Sequence, residues 1–220
     1  MIKACIFDMD GTTVNTINSI AYFANNALNK YGLKSIDTEK YKIIVGNGAK
    51  VLVERMIELT GGTEEDFKNV YKEYNTTYDN NFMYLTEAYD GIIDMLKTLK
   101  SMGIESVILS NKPHSTALKV SDALFGDDLI KYCFGGREGI ALKPDPAALF
   151  EIIDLLGVKG EECLYIGDTS TDMKTGKNGN LFTVGVLWGF RGREELESSG
   201  ADVIISKPCE LIDIIKEKNA

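Results

Sequence analysis

The sequence predicts an α/β fold: a parallel sheet covered by helices on both faces, with an all-helical insert after its first strand. Short apolar runs alternate with amphipathic stretches of helical period, the pattern of a parallel sheet built from strand–helix–strand units. Several of the runs stop abruptly at small polar or acidic residues. The alternation is broken once, between about residues 15 and 85, by a segment of helical periodicity with almost no β pattern.

Taken in order, Lys3 to Phe7 reads as a buried strand that ends at Asp8-Met9-Asp10-Gly11. Glu105 to Leu109 is the next run and ends at Ser110-Asn111; Cys163 to Ile166 ends at Gly167-Asp168. Leu181 to Val186 and Val203 to Ile205 complete the strands. Between them, Ile92-Ile93, Met95-Leu96 and Leu99 repeat at helical spacing, as do Ala148-Leu149, Ile152-Ile153 and Leu155-Leu156, closed by Gly157. In the insert, helices are expected over Ile17 to Lys30, Ala49 to Thr60 and Glu64 to Asn80, with Gly32 and Gly61-Gly62 as stops. Its one short β run is Ile43-Ile44-Val45. The expected organisation is a core domain of residues 1–14 and 86–220 and a helical cap domain of residues 15–85, folded over the strand ends. Ligands of open parallel sheets bind beyond those ends, which is where the polar clusters fall.

Composition narrows the class of function. The chain has 220 residues, enough to bury a core without disulfide or metal staples. With 44% hydrophobic residues, 26% charged residues and 4 prolines it is not disordered, collagen-like or a coiled coil. Twenty-four Lys and Arg against 33 Asp and Glu give a net charge of −9 with no basic run, which disfavours nucleic acid and anionic membranes as partners. No stretch approaches the roughly 18 to 20 apolar residues of a membrane span, and Asp8 is reached before a signal-peptide core could form. Cys5, Cys133, Cys163 and Cys209 are scattered, with no C-x-x-C pair, and three of them sit in or beside apolar runs, which suits buried thiols in a reducing compartment. The expectation is a cytoplasmic protein, monomer or homodimer.

The acidic clusters carry the chemistry. On an extended strand Asp8 and Asp10 point the same way, and like charges so close need a cation or a proton between them. Asp168 and Asp172, four apart, share one face of the helical turn that follows. Four carboxylates over one sheet suit Mg²⁺, a hard cation that takes oxygen ligands and keeps several waters. Ser110-Asn111 and Lys143-Pro144 add a hydroxyl, an amide and an ammonium, the donors a phosphoryl oxygen requires.

In that order the four motifs, Asp8-Met9-Asp10-Gly11-Thr12, Ser110-Asn111, Lys143-Pro144 and Gly167-Asp168…Asp172, resemble those of the haloacid dehalogenase-like phosphohydrolase superfamily, over nearly the whole chain. The resemblance implies a Rossmann-like core with a helical cap inserted after the first motif. It implies Asp8 as the nucleophile that takes the phosphoryl group and Asp10 as the general acid, then base. It further implies Mg²⁺ held by Asp8, the backbone carbonyl of Asp10, Asp168 and Asp172, the last directly or through water. Ser110, Asn111 and Lys143 would bind the transferring group.

Ser110-Asn111-Lys112-Pro113, Lys143-Pro144-Asp145-Pro146 and Val184-Gly185-Val186-Leu187-Trp188-Gly189 are similar to the phosphoglycolate phosphatase-like subgroup. So is the cap turn Gly46-Asn47-Gly48, whose backbone N–H groups at a helix start could meet a substrate carboxylate. The reading is a Mg²⁺-dependent phosphatase for a small phosphorylated metabolite, with 2-phosphoglycolate first. β-Phosphoglucomutase-like transfer and pyrophosphate hydrolysis are the alternatives within the superfamily. A phosphoacceptor receiver domain also gathers acids and a lysine over a parallel sheet, but it lacks both the helical insert and the D-x-D-G-T order. Thr13-Val14-Asn15-Thr16 departs from the superfamily by placing Asn15 where many relatives carry Asp. His114 is expected to cap a helix or face solvent, Trp188 and Arg191 either to line the cleft or to pack and be solvated. Tyr71, Tyr74 and Tyr78 form a stripe at helical spacing, expected in the cap's own core or, if exposed, at a dimer face.

Overall fold

The computed structural model describes residues 1–220. Its strands are β1 (Ala4–Phe7), β2 (Val14–Asn15), β3 (Glu87–Ala88), β4 (Glu105–Pro113), β5 (Tyr132–Gly136), β6 (Cys163–Gly167), β7 (Phe182–Val186) and β8 (Val203–Ile205). Six of them form one sheet in the order β5-β4-β1-β6-β7-β8, every pair parallel. The order reverses at β1, so the first strand in sequence lies between β4 and β6. Phe7 is level with Ile108 of β4 and with Ile166 of β6. β1 and β6 therefore end side by side against β4, which runs on to Pro113, so Asp8 and Asp168 leave the sheet beside Ser110 of β4.

The helices are α1 (Ile17–Lys30), α2 (Thr38–Ile44), α3 (Ala49–Thr60), α4 (Glu64–Asn80), α5 (Ile92–Ser101), α6 (His114–Leu124), α7 (Gly126–Leu129), α8 (Ala147–Leu156), α9 (Ser170–Asn178), α10 (Arg193–Ser198) and α11 (Glu210–Asn219). All four residues of β1 are buried, because both sheet faces are covered. Cys5 and Phe7 point into one core with Leu96 and Leu99 of α5, Val120 of α6 and Ile215 of α11. Ala4 and Ile6 point the other way, onto Leu149 and Ile152 of α8. This is the period-two alternation of a strand feeding two layers.

Between β2 and β3 the chain forms α1 to α4, which enclose a separate core that includes Phe23, Tyr41, Met56 and Tyr74. The local signals are strong there. Thr63 and Asp66 close a capping box at the start of α4, with Thr63 N–H donating to Asp66 at 2.8 Å and Asp66 N–H donating to Thr63 Oγ1 at 3.2 Å. Gly61 ends α3 in the left-handed region. The β run expected at Ile43-Ile44-Val45 is instead the last turn of α2 and its cap. Asp37 caps that helix by accepting from Glu39 N–H at 2.8 Å, and Tyr41 is fully buried with its hydroxyl donating to Asn25 at 2.9 Å. Two β-branched residues with no strand to pair follow the helix their neighbours start.

All four cysteines are free, Cys5 and Cys163 buried and Cys209 exposed. No helix is long and apolar enough to cross a membrane. Leu96 is fully buried where α5 meets the sheet. Leu96→Ala is expected to cost about 2–5 kcal/mol by leaving a cavity that neighbours fill only in part; urea denaturation with an unchanged slope and a lower midpoint is the readout.

Candidate active site

The site begins with the loop after β1. Asp8 N–H donates to Ile166 O at 2.9 Å, which continues the sheet by one residue. The N–H groups of Thr12, Thr13 and Val14 then all converge on Met9 O at 2.9–3.2 Å, folding the chain back on itself. Gly11 sits in this turn at φ +96, and a Cβ there would lie 2.3 Å from Asp168 Oδ2. Only glycine satisfies both the backbone and the close approach.

Asp168 follows β6 and is completely buried. Thr12 Oγ1 donates to its Oδ1 at 3.0 Å and Phe190 N–H to its Oδ2 at 2.8 Å. Gly189 makes room for this second bond, since a Cβ there would stand 2.4 Å from the carbonyl oxygen of Gly11. Asp172 lies in the first turn of α9, where its Oδ2 accepts from Thr169 N–H at 3.1 Å and from Thr169 Oγ1 at 2.6 Å. The turn that caps α9 thus aims the other carboxylate oxygen at the site. Lys143 Nζ is buried and donates to Asp8 Oδ1 at 2.7 Å, Asp172 Oδ1 at 2.7 Å and Leu109 O at 3.0 Å.

Oxygens of Asp8, Asp168 and Asp172 lie within 4.8 Å of one another, all three residues buried. Burial, reinforced by the charge of Asp172, pushes the Asp8 carboxyl up to about 7. Burial also raises Asp168, with Asp172 and Asp8 adding to it. For Lys143 burial opposes the charged form, but Asp172 and Asp8 outweigh it and hold the ammonium protonated. Ionised together, three carboxylates around one ammonium would leave two negative charges unbalanced. A divalent cation fits that deficit in charge and in donor chemistry.

Asp10 is not part of this triad. Its carboxylate faces Lys112, whose Nζ lies 3.0 and 3.1 Å from the two oxygens and donates to Tyr78 OH at 3.0 Å. Lys112 is buried, and despite that burial Asp10 and Tyr78 keep it protonated. Ser110 Oγ accepts from Lys112 N–H at 3.2 Å, at a register shift in the pairing of β4 with β5. The Asn111 side chain ties loops together: its Nδ2 donates to Gly46 O and Lys143 O, both at 3.0 Å, and its Oδ1 accepts from Lys143 N–H at 2.8 Å. Its amide protons therefore meet two backbone carbonyls.

Asp8, Asp10, Ser110, Asn111 and Lys112 face Gly46, Gly48, Tyr74 and Tyr78 across a cavity of about 70 Å³. Gly46 and Gly48 both have positive φ and lead into α3. Asn47 turns to the other side, its Nδ2 donating to Thr171 Oγ1 at 3.3 Å. A larger groove of about 730 Å³ opens beside β2 and β3, lined by Tyr89 and Trp188 among others, and touches none of the acids of the triad.

Lys112, Tyr78, Gly189 and Arg191 complete the picture the sequence left open. Arg191 Nη2 donates to Ile43 O at 2.8 Å and Val45 O at 3.3 Å, a bridge from the β7 side of the core to α2. Trp188 Nε1 donates to Thr12 O at 2.9 Å and so packs behind the β1 loop. His114 starts α6 without capping it; its Nδ1 accepts from Gly135 N–H at 3.1 Å and ties the helix start to β5. Tyr74 and Tyr78 are buried in the insert's core, as a stripe at helical spacing expects, but both also line the cavity, and the Tyr78 hydroxyl accepts from Lys112 Nζ. The one periodicity signal that could have marked it is its position nearest the C-terminal end of that stripe.

Carboxylates and lysines gathered over the switch point of a parallel sheet, under a helical insert, define an α/β enzyme for an anionic substrate. Residues 5–186 match the model of the haloacid dehalogenase-like hydrolases, and the chain belongs to that family. Phosphoglycolate phosphatase of Haemophilus influenzae is 29% identical over 215 residues, 95% of this chain and 96% of that one. A phosphoglycolate phosphatase of Pseudomonas fluorescens is 31% identical over 207 residues, 92% of this chain and 76% of that one. A crystal structure from Lactobacillus delbrueckii subsp. bulgaricus superposes with a TM-score of 0.92 at 29% identity, over 97% of this chain and 98% of that one. With its family the chain is a hydrolase of phosphoric monoesters.

The raised carboxyl of Asp8 has a consequence for stability. A folded-state value of about 7 against an ordinary 3.8 means that folding favours the protonated form. The stability this adds is complete below about pH 4 and is lost as pH rises through 7. In a chelator, Asp8→Asn is therefore expected to melt above the wild type at about pH 8, with the gap closing towards pH 5.5. Thermal melts across that range test it, and a gap that widens on acidification contradicts it.

Proposed function

We propose that the chain is a Mg²⁺-dependent phosphatase that hydrolyses 2-phosphoglycolate through an aspartyl-phosphate on Asp8. The carrying observation is the pairing of two carboxylates, two residues apart, in opposite surroundings. Asp8 joins the acid triad beside Lys143, while Asp10 stands apart with Lys112, and both face one cavity of about 70 Å³. That size suits a substrate of few atoms, and the relatives named above are phosphoglycolate phosphatases.

Asp8, Asp168 and Asp172, with the backbone carbonyl of Asp10, are the residues that would hold Mg²⁺. Bound there, the ion supplies positive charge that offsets the repulsion between a carboxylate nucleophile and an anionic phosphate. The chain's own residues do the rest. The Asp8 carboxylate forms a bond to phosphorus as the ester P–O bond breaks, and Asp10, which enters this step protonated, gives its proton to the departing oxygen. Asp10, now a carboxylate, takes a proton from the attacking water, whose oxygen bonds to phosphorus while the P–O bond to Asp8 breaks. Lys143 lies beside Asp8 and Ser110 at the cavity wall, where they donate to the oxygens of the phosphoryl group as it passes between partners. Asn111 serves this step by fixing the backbone of Lys143. The insert at residues 15–85 acts as a cap domain over the core of residues 1–14 and 86–220, and closure keeps bulk water from the acyl-phosphate until the alcohol has left.

Asp8→Asn is expected to lower phosphate release by about 1,000-fold or more while the far-ultraviolet dichroism is unchanged. Near-normal turnover in the purified variant defeats the nucleophile assignment. Excess EDTA is expected to abolish wild-type turnover and added Mg²⁺ to restore it. In a panel of 2-phosphoglycolate, pyrophosphate, β-glucose 1-phosphate and nucleoside monophosphates, the first is expected to give the highest kcat/KM; a higher value for another member reassigns the substrate.

A further inference from the structure

We propose that Lys112 reads the acid end of the leaving group: its ammonium binds a carboxylate carried on the carbon next to the ester oxygen, and so selects 2-phosphooxy acids over esters of uncharged alcohols. This deepens the function proposed above and rests on Asp10 serving the leaving oxygen.

Three features place Lys112 in that role. It is the only cation lining the cavity, since Lys143 is held outside that wall between Asp8 and Asp172. Its three ammonium protons meet Asp10 Oδ1, Asp10 Oδ2 and Tyr78 OH at 3.0, 3.1 and 3.0 Å, so a buried charge grips both oxygens of one carboxylate. That two-pronged grip can release one oxygen to a second carboxylate without leaving the ammonium bare, whereas a buried lysine with no anion is costly.

Reach is the third feature. A group that protonates the ester oxygen must approach it to about 2.6–3.2 Å. Lys112 Nζ stands a single hydrogen-bond length further along from the same Asp10 carboxyl. In a 2-phosphooxy acid one carbon separates the ester oxygen from the carboxylate, which brings that carboxylate beside Nζ. The neighbouring walls are Ile20, Val45, Leu52 and the rings of Tyr74 and Tyr78. The aliphatic side chains among them give nothing to the hydroxyls of a sugar. Tyr78 comes from the helical insert, so both parts of the molecule contribute to the reading of the acid end.

Ethyl phosphate is the fitting comparison substrate: it matches 2-phosphoglycolate atom for atom except that a methyl replaces the carboxylate. The measured quantity is the ratio of kcat/KM for 2-phosphoglycolate to that for ethyl phosphate, with Mg²⁺, in the wild type, Lys112→Met and Lys112→Gln. Any general damage to Asp10 cancels in this ratio. The wild-type ratio is expected to be about 1,000 or more, because a site built around a substrate charge rejects the analogue that lacks it. Both variants are expected to lower it by about 100-fold, chiefly through KM for 2-phosphoglycolate. A ratio unchanged within about threefold in the variants overturns the assignment. So does a wild-type ratio below about 10, which needs no folded variant. Wild-type hydrolysis of ethyl phosphate without preference for the acid removes Lys112 from this role and leaves the phosphatase intact. Hydrolysis of neither ester removes both.

Discussion

Lys143 Nζ lies 2.7 Å from Asp8, 2.7 Å from Asp172 and 3.0 Å from Leu109 O, and it is the one ammonium among three carboxylates held within 4.8 Å. Buried charges that are not fully paired are expensive, so the surrounding architecture exists to support them. Strands β1 and β6 end side by side against β4, which brings residues more than 150 positions apart to one point. Thr12, Thr169 and the backbone of Phe190 then supply hydrogen bonds that hold the acids in place. Gly11 and Gly189 let the backbone close on Asp168 from both sides. Each of these costs something locally and is offset by the packed cores on the two faces of the sheet.

The two lysines divide the acids into groups of different character. Asp8 shares Lys143 with Asp172, and burial, then the charge of Asp172, pushes its carboxyl up. Asp10, two residues away, is partly exposed and meets Lys112. Two carboxylates two residues apart thus stand in different surroundings. The polar ties between insert and core, through Asn111, Asn47 and Arg191, set the roof of the cavity in the same step.

Much of this was legible in the sequence, and the boundary of legibility is physical. The buried strands declare themselves as apolar runs, and α1, α3 and α4 match their expected bounds because glycine stops and a capping box mark them. Ile43-Ile44-Val45 misled because β propensity reflects partners, and that segment has only Tyr41 and its own helix to join. β5 went unseen since Gly135 and Gly136 dilute its pattern; the backbone of Lys112 and His114 leaves no room for a Cβ at Gly135, and the Leu142 side chain crowds Gly136. Asp8, Asp168 and Asp172 were readable as strand-end acids. Lys112 was readable only as part of a motif, for its partners lie 102 and 34 residues away. The Tyr78 ring obeyed the stripe, but no periodicity reveals where a hydroxyl points. Arg191 was left open between the cleft and solvent: its carboxylate partner Glu195 stands four residues on, but its acceptors in the insert are the backbone carbonyls of Ile43 and Val45, which have no side-chain signature.

The narrow ribbon of β2 and β3 deserves a last thought about ancestry. Val14 faces Ala88 and Asn15 faces Glu87, so the polypeptide departs from the sheet and returns to it through adjoining residues. Whatever is spliced in between meets the same pair of doorposts, and its size need not disturb the strands below. A lineage can therefore swap one roof for another and acquire new alcohols to release, while the machinery that handles phosphorus stays untouched.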